Sequence, residues 1–141
     1  MEAAMLTEKE LLNMPEDAYM NEEQLAFFKE LLLQQKQELS EAIDGAKKSL
    51  AESERNTDLN DVATSQEMQQ LYLRTVDRQS KLLRKVNESL KHIENGEYGY
   101  CELTGEPIGV QRLLARPTAT LSVQAKEIQE HQERTQGIIK A

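Results

Sequence analysis

The stretch Arg55-Asn56-Thr57-Asp58-Leu59-Asn60-Asp61-Val62-Ala63 carries two carboxylates three positions apart. Carboxylates at this spacing can form an acid and base pair, join a metal site, meet the basic side chains of a partner, or cap a helix. Acid-base chemistry needs an enclosing pocket that moves two pKa values apart. The neighbourhood of Asp58 and Asp61 offers none, and His92 and His131 are far off along the chain. The chain therefore reads as a non-enzyme. An aspartate ahead of a helix is an ordinary N-cap, and Asp61 can serve as cap and contact at once. Taken alone, these residues favour the cap.

What lies on either side turns this stretch into a tip. Residues 21 to 54 and 66 to 95 are both helix-patterned. Asn21-Glu22-Glu23-Gln24 has capping-box form, with Met20 and Leu25 spaced for a hydrophobic staple. Leu25, Phe28, Leu32, Gln35, Leu39, Ala42, Ala46 and Ser49 then recur at alternating three and four residues. Tyr72, Val76, Gln79, Leu83, Val86, Leu90 and Ile93 repeat the spacing up to the stop at Asn95-Gly96. Two seams joined by one turn predict an antiparallel coiled-coil hairpin, with arms on the order of 45 Å at 1.5 Å per residue. That is longer than a small core requires, so reach is its purpose. Between residues 74 and 91 the second arm is basic, with Arg74, Arg78, Lys81, Arg84, Lys85 and Lys91 against Asp77 and Glu88. Each of these alone can be an ordinary solvated ion-pair residue worth ~0–1 kcal/mol.

Composition narrows the classes. With 141 residues, 38% hydrophobic and 4% aromatic, the chain can build only a modest core beside such a hairpin. The net charge of -8 is concentrated at the N-terminal end, where residues 1 to 44 hold eleven acids against three bases. A DNA-binding surface shows the opposite bias, so a protein partner is favoured over direct nucleic-acid contact. The single cysteine, Cys101, excludes an intramolecular disulfide. No signal peptide or stretch of about 18 apolar residues is present. The expected location is cytoplasmic, with no membrane contact.

Around the hairpin, Thr7-Glu8-Lys9-Glu10 predicts a short helix ending before Pro15. Tyr98-Gly99-Tyr100-Cys101-Glu102 and Ile108-Gly109-Val110, around Leu103-Thr104-Gly105-Glu106-Pro107, predict a small β-hairpin. A final helix is expected from Ser122 to Gln136, stopped by Gly137, with Leu113, Leu114, Leu121, Val123 and Ile128 in the core. The fold class is mainly α: a long antiparallel coiled-coil hairpin, plus a small globular part with a degenerate finger-like β-hairpin and a C-terminal helix. The expected organisation is 1–32 as N-terminal segment and helix start, 33–95 as hairpin with its tip near 55–65, and 96–141 as the globular region.

The strings Tyr19-Met20-Asn21-Glu22-Glu23-Gln24-Leu25, Tyr98-Gly99-Tyr100-Cys101-Glu102 and Ala115-Arg116-Pro117-Thr118-Ala119, with Asp58-x-x-Asp61-x-Ala63 at the tip, resemble the DksA/TraR family of bacterial transcription factors. The match runs from Tyr19 to about Lys126. The resemblance implies a monomer that binds RNA polymerase without touching DNA and inserts its hairpin through the secondary channel. It would repress promoters of the ribosomal-RNA type and help activate others, in the stringent response. The implied tip residues are Asp58, Asp61 and Ala63, the last permitting close approach, with Arg78 as a further polymerase contact. The implied site for guanosine tetraphosphate (ppGpp), a co-regulator held between polymerase and the base of the coil, is Lys85, Arg116 and Lys126. All three are cations, as polyphosphate recognition requires. The alternative is a structural or adaptor coiled coil whose tip is incidental.

The family's zinc is held by two Cys-x-x-Cys pairs, and the matching positions here are Cys101, Thr104, Ser122 and Ala125. Hydroxyls are poor replacements for thiolates, and a methyl is no ligand. The chain is therefore expected to hold no metal and no other cofactor, resembling zinc-independent members, with Thr104 and Ser122 making turn and capping bonds instead. A lone cysteine beside tyrosines reads as a small core residue. An oxidation-sensing role would call for an activating base, and none is visible.

Overall fold

The computed structural model describes residues 6–55 and 62–140, with backbone alone for 62–64 and 137–140. Its helices are α1 (Glu8–Leu12), α2 (Glu22–Arg55), α3 (Val62–Asn95), α4 (Val110–Ala115) and α5 (Val123–Lys140), with a 3-10 turn at Glu16–Ala18 between α1 and α2. None among the described residues is long and apolar enough to cross a membrane. The chain divides into two compact units, Leu31–Glu88 and Met1–Glu30 with Ser89–Ala141.

In the Leu31–Glu88 unit, α2 and α3 pack as the two arms of a hairpin. Leu32, Leu39, Ile43 and Ala46 from α2 and Val86 from α3 are buried, and Ser53 Oγ lies 3.3 Å from Ser65 Oγ just before the connection. The α2 seam departs from its expected register at one step. Ala42 is exposed and Ile43 takes its place, a four-residue step after Leu39 in keeping with the 3.6 period of an α-helix. The polar position Gln35 has a cost, since its Oε1 is buried without a hydrogen-bond partner.

The other unit is built around Phe28, Leu11, Leu113 and Gln24, all fully buried. Gln24 organises the start of α2. Asn21 Oδ1 accepts from Gln24 N–H at 2.9 Å, as an N-cap should, and Gln24 Oε1 accepts from Met20 N–H at 2.8 Å. The reciprocal bond thus falls one residue outside the usual capping box. It steadies Met20, whose φ of 55° is otherwise unfavourable for a side-chain-bearing residue. At the far end of α3, Gly96 adopts φ 74°, with Gly96 N–H bonded to Ile93 C=O and Glu97 N–H to His92 C=O, a Schellman stop.

The expected β-hairpin is reduced to one antiparallel bridge, Tyr100 to Pro107, with no strand among the described residues. Cys101 N–H bonds Glu106 C=O and Ile108 N–H bonds Gly99 C=O, both at 2.8 Å. Gly105 N–H turns back to Cys101 C=O, which makes a knuckle rather than a ladder. Positive φ at Gly99, Gly105 and Gly109 interrupts the extended run. Two helix boundaries also differ from expectation. Val110–Ala115 forms α4, where the apolar residues had signalled only core. At the other end α5 passes through Gly137 to Lys140, since a glycine permits a left-handed stop without imposing one.

Candidate functional site

The tip sequence is framed by the end of α2 at Arg55 and the start of α3 at Val62. Asp58 and Asp61 lie outside the described residues. Ala63 falls in the first turn of α3, its side chain outside the description.

The cations are taken up by their elements as follows. Arg78 and Lys85 are exposed on α3 in the Leu31–Glu88 unit. Arg116 and Lys126 belong to the other unit. Arg116 is the exposed C-cap of α4, its N–H closing on Arg112 C=O at 2.8 Å. Lys126 is half-buried in the first turn of α5, its N–H bonded to Ser122 C=O at 2.9 Å. None of these four is engaged in an ion pair among the described residues, whereas Lys81 pairs with Asp77 at 3.1 Å. Sequence reasoning overlooked Arg112. It is half-buried, and its Nε–H donates to Leu121 C=O at 2.9 Å, tying α4 to the segment that leads into α5. Its position one turn before Arg116 was the available signal.

Each of the four finger positions has a different occupation. Cys101 is buried, 3% exposed, and unpaired as a thiol. Thr104 Oγ1 accepts from Glu106 N–H at 3.2 Å, closing the turn. Ser122 Oγ accepts from Ala125 N–H at 3.1 Å, capping α5, and Ala125 packs its methyl inside at 1% exposure. The hydroxyls are thus committed to backbone donors, and one sulfur remains from a set that needs four strong ligands. No cluster of three His, Cys, Asp or Glu is arranged for a metal among the described residues.

Other contacts hold the knuckle. The Tyr19 hydroxyl donates to Gly99 C=O at 2.5 Å and accepts from Gly109 N–H at 2.9 Å. Its ring meets Tyr100 edge-on at 5.7 Å. Gly99 makes room for this, since a Cβ there would stand 2.8 Å from Met20 Cγ and Sδ. Tyr98 is 3% exposed, stacks obliquely on Phe28 at 5.6 Å, and donates its hydroxyl to Pro117 C=O at 2.7 Å. Burial pushes both the Tyr98 and the Tyr19 phenols up, so both remain neutral donors at physiological pH.

The Cys101 thiol is pulled in opposite directions. Burial pushes it up, but the Thr104 hydroxyl and the backbone N–H groups of Ser122, Thr104 and Leu103 outweigh that and draw it down to about 6. A thiol in the unfolded chain ionises near roughly 8.5. The folded state therefore releases this proton first. The stabilisation is fully present above the unfolded value and is lost as pH falls through about 6. Thermal melts should show the wild type gaining stability from pH 6 towards 9 relative to Cys101→Ser, whose hydroxyl does not ionise; parallel profiles would mean the thiolate is not held.

Two family models match the chain: "DnaK suppressor protein DksA, N-terminal domain" over residues 24–93, and "Prokaryotic dksA/traR C4-type zinc finger" over residues 96–131. The RNA polymerase-binding transcription factor DksA of Caulobacter vibrioides is 48% identical over 134 residues, 94% of each chain. The chain belongs to the DksA/TraR family. The factor of the same name from Escherichia coli is 38% identical over 121 residues, 85% of this chain and 80% of that one. The solved structure of transcription factor DksA2 from Pseudomonas aeruginosa superposes with a TM-score of 0.85 at 50% identity, covering 91% of this chain and 99% of that one. These DksA/TraR relatives are named as transcription factors and not as enzymes. The zinc-finger model matches residues 96–131, yet of the four cysteines its description names this chain has one, Cys101.

Proposed function

We propose that this chain is a transcription regulator of the bacterial cytoplasm that binds RNA polymerase directly, as a monomer and without contacting DNA. The observation that carries the reading is the 48% identity, over 94% of both chains, to a factor named for RNA polymerase binding. The α2–α3 hairpin passes through the secondary channel and brings Asp58 and Asp61 close to the catalytic centre. There the two carboxylates meet basic side chains or amides of moving polymerase elements, and Ala63 leaves room for the approach. Arg78 adds a polymerase contact along α3. Open complexes become shorter-lived, so promoters of the ribosomal-RNA type are repressed and others are assisted.

Lys85 in one unit, and Arg116 and Lys126 in the other, are each proposed to contact ppGpp that polymerase holds from its own side. Support comes from their chemistry and availability: all three are cations, and none is in an ion pair among the described residues. An arginine can fork onto a phosphate, and lysines act as adjustable point charges. No step requires zinc. The hydroxyls of Thr104 and Ser122 are engaged in the turn and the cap, and Cys101 is buried as a free thiol.

The test is in vitro transcription from a ribosomal-RNA-type promoter with purified polymerase, beside direct measurement of polymerase binding. The expected result is saturable binding and dose-dependent inhibition that ppGpp deepens. Absence of polymerase binding would defeat the proposal.

A further inference from the structure

The last turn of α3 and the knuckle border a cleft of about 470 Å³, lined wholly by residues of the Ser89–Ala141 segment. Two backbone fastenings frame it. At the Schellman stop, Glu97 N–H and Tyr98 N–H both bond His92 C=O, at 2.9 and 3.2 Å, and Glu102 N–H reaches Thr120 C=O at 2.9 Å. Tyr98 and Ala119 stand in the wall.

The polar lining is one-sided. Glu97 and Glu102 are exposed carboxylates without an ion pair among the described residues, and no lysine or arginine lines the cleft. Ser89 is only 3% exposed, lines the same cleft, and has no hydrogen-bond partner for its hydroxyl among the described residues. A hydroxyl inside a helix commonly bonds the carbonyl one turn back, as Thr75 does with Leu71 C=O at 3.0 Å. The Ser89 hydroxyl forgoes that bond, and a buried polar group left unpartnered is costly. His92 follows three residues on, on the same face of α3, and the C-terminal end of a helix favours positive charge. The lining therefore suits a cation. A metal ion has the wrong shape, because no three His, Cys, Asp or Glu side chains of the described residues converge as its ligands. A cation with its charges set apart along an apolar chain fits acids that do not converge, a tyrosine and a methyl in the wall, and a buried hydroxyl.

We propose that this cleft is a binding site for a short aliphatic diamine. One ammonium meets the carboxylates of Glu97 and Glu102, the methylenes cover Tyr98 and Ala119, and the other amine end donates to Ser89 Oγ beside His92. The occupant ties the end of α3 to the knuckle, and binding the folded chain alone stabilises it. The site needs neither polymerase nor ppGpp.

The test titrates 1,4-diaminobutane into the full-length chain by calorimetry, with melting temperatures and backbone amide shifts measured on the same samples. Saturable binding, a melting temperature that rises with ligand, and shifts gathered at Gly96, Gly99 and Thr120 are expected. The uncharged 1,4-butanediol, of the same length, should not bind. Glu97→Gln and Glu102→Gln should each raise Kd about tenfold, the effect of one charge-assisted bond. Ser89→Ala should raise Kd about fivefold, the effect of one hydrogen bond, without lowering the melting temperature of the free chain, since the hydroxyl it removes has no partner in the fold. Glu38→Gln, an exposed acid of the other unit, controls for attraction to the net charge of -8 and should leave Kd unchanged. Absence of saturable binding, equal binding of the diol, equal weakening by Glu38→Gln, or displacement of the diamine by stoichiometric Mg2+ would each overturn the proposal. If Ser89→Ala proves unstable, the two surface glutamate variants carry the test.

Discussion

Exchanging Asp58 and Asp61 together for asparagine is expected to abolish the effect on promoter output while polymerase binding persists. Asparagine is nearly isosteric and caps a helix about as well as aspartate, so a cap at the start of α3 survives the exchange. Only the charge is lost. A hydrogen bond to a charged group contributes roughly 1.5–3 kcal/mol, so each carboxylate that meets a polymerase donor should account for about tenfold or more in the lifetime of the open complex. The measurement is open-complex decay with saturating factor, beside an affinity measurement on the same preparation. Undiminished promoter control in the double variant would leave the tip without a role and restore the adaptor reading.

Protein purified without chelator is expected to contain no stoichiometric zinc, and EDTA should change neither its melting temperature nor its transcriptional effect. The contrast with a C4 finger is large, because structural zinc contributes about 10 kcal/mol or more of apparent binding free energy to a small finger. Removing it from a true C4 site unfolds the region. Here Thr104 Oγ1 and Ser122 Oγ accept from Glu106 and Ala125 backbone N–H groups, and Ala125 fills its position with a buried methyl. Elemental analysis decides the matter directly. One zinc per chain, or melting brought on by chelator, would refute the expectation.

Features set by neighbours in the chain were legible before any coordinates. The Asn21 cap, the Thr7 cap of α1 and the Asn95-Gly96 stop all depend on residues within a few positions of one another. The capping role of Ser122 was likewise readable from its place ahead of an apolar run. Features decided by packing were less so. Choosing Ala42 over its neighbour Ile43 followed an idealised heptad, whereas an apolar side chain too large to leave in water set the actual step. Alternation in the finger suggests two strands, and the three positive-φ glycines break it. The contacts of Tyr19 with Gly99 and Gly109 span 80 and 90 residues, and that of Arg112 with Leu121 joins α4 to the segment before α5. No local pattern encodes such pairings, so the clasp and the extra guanidinium came to light only in three dimensions.

The Tyr19 hydroxyl has one more implication. A metal-clamped knuckle carries its own fastener within a few dozen residues and can close by itself. In this protein one phenol near the N-terminus fastens two loops of the finger from 80 and 90 positions away. The C-terminal region therefore takes two of its loop contacts from a segment made much earlier in synthesis. Swapping this region onto another member's hairpin would carry over the loops without the peg that pins them, unless the tyrosine travels too.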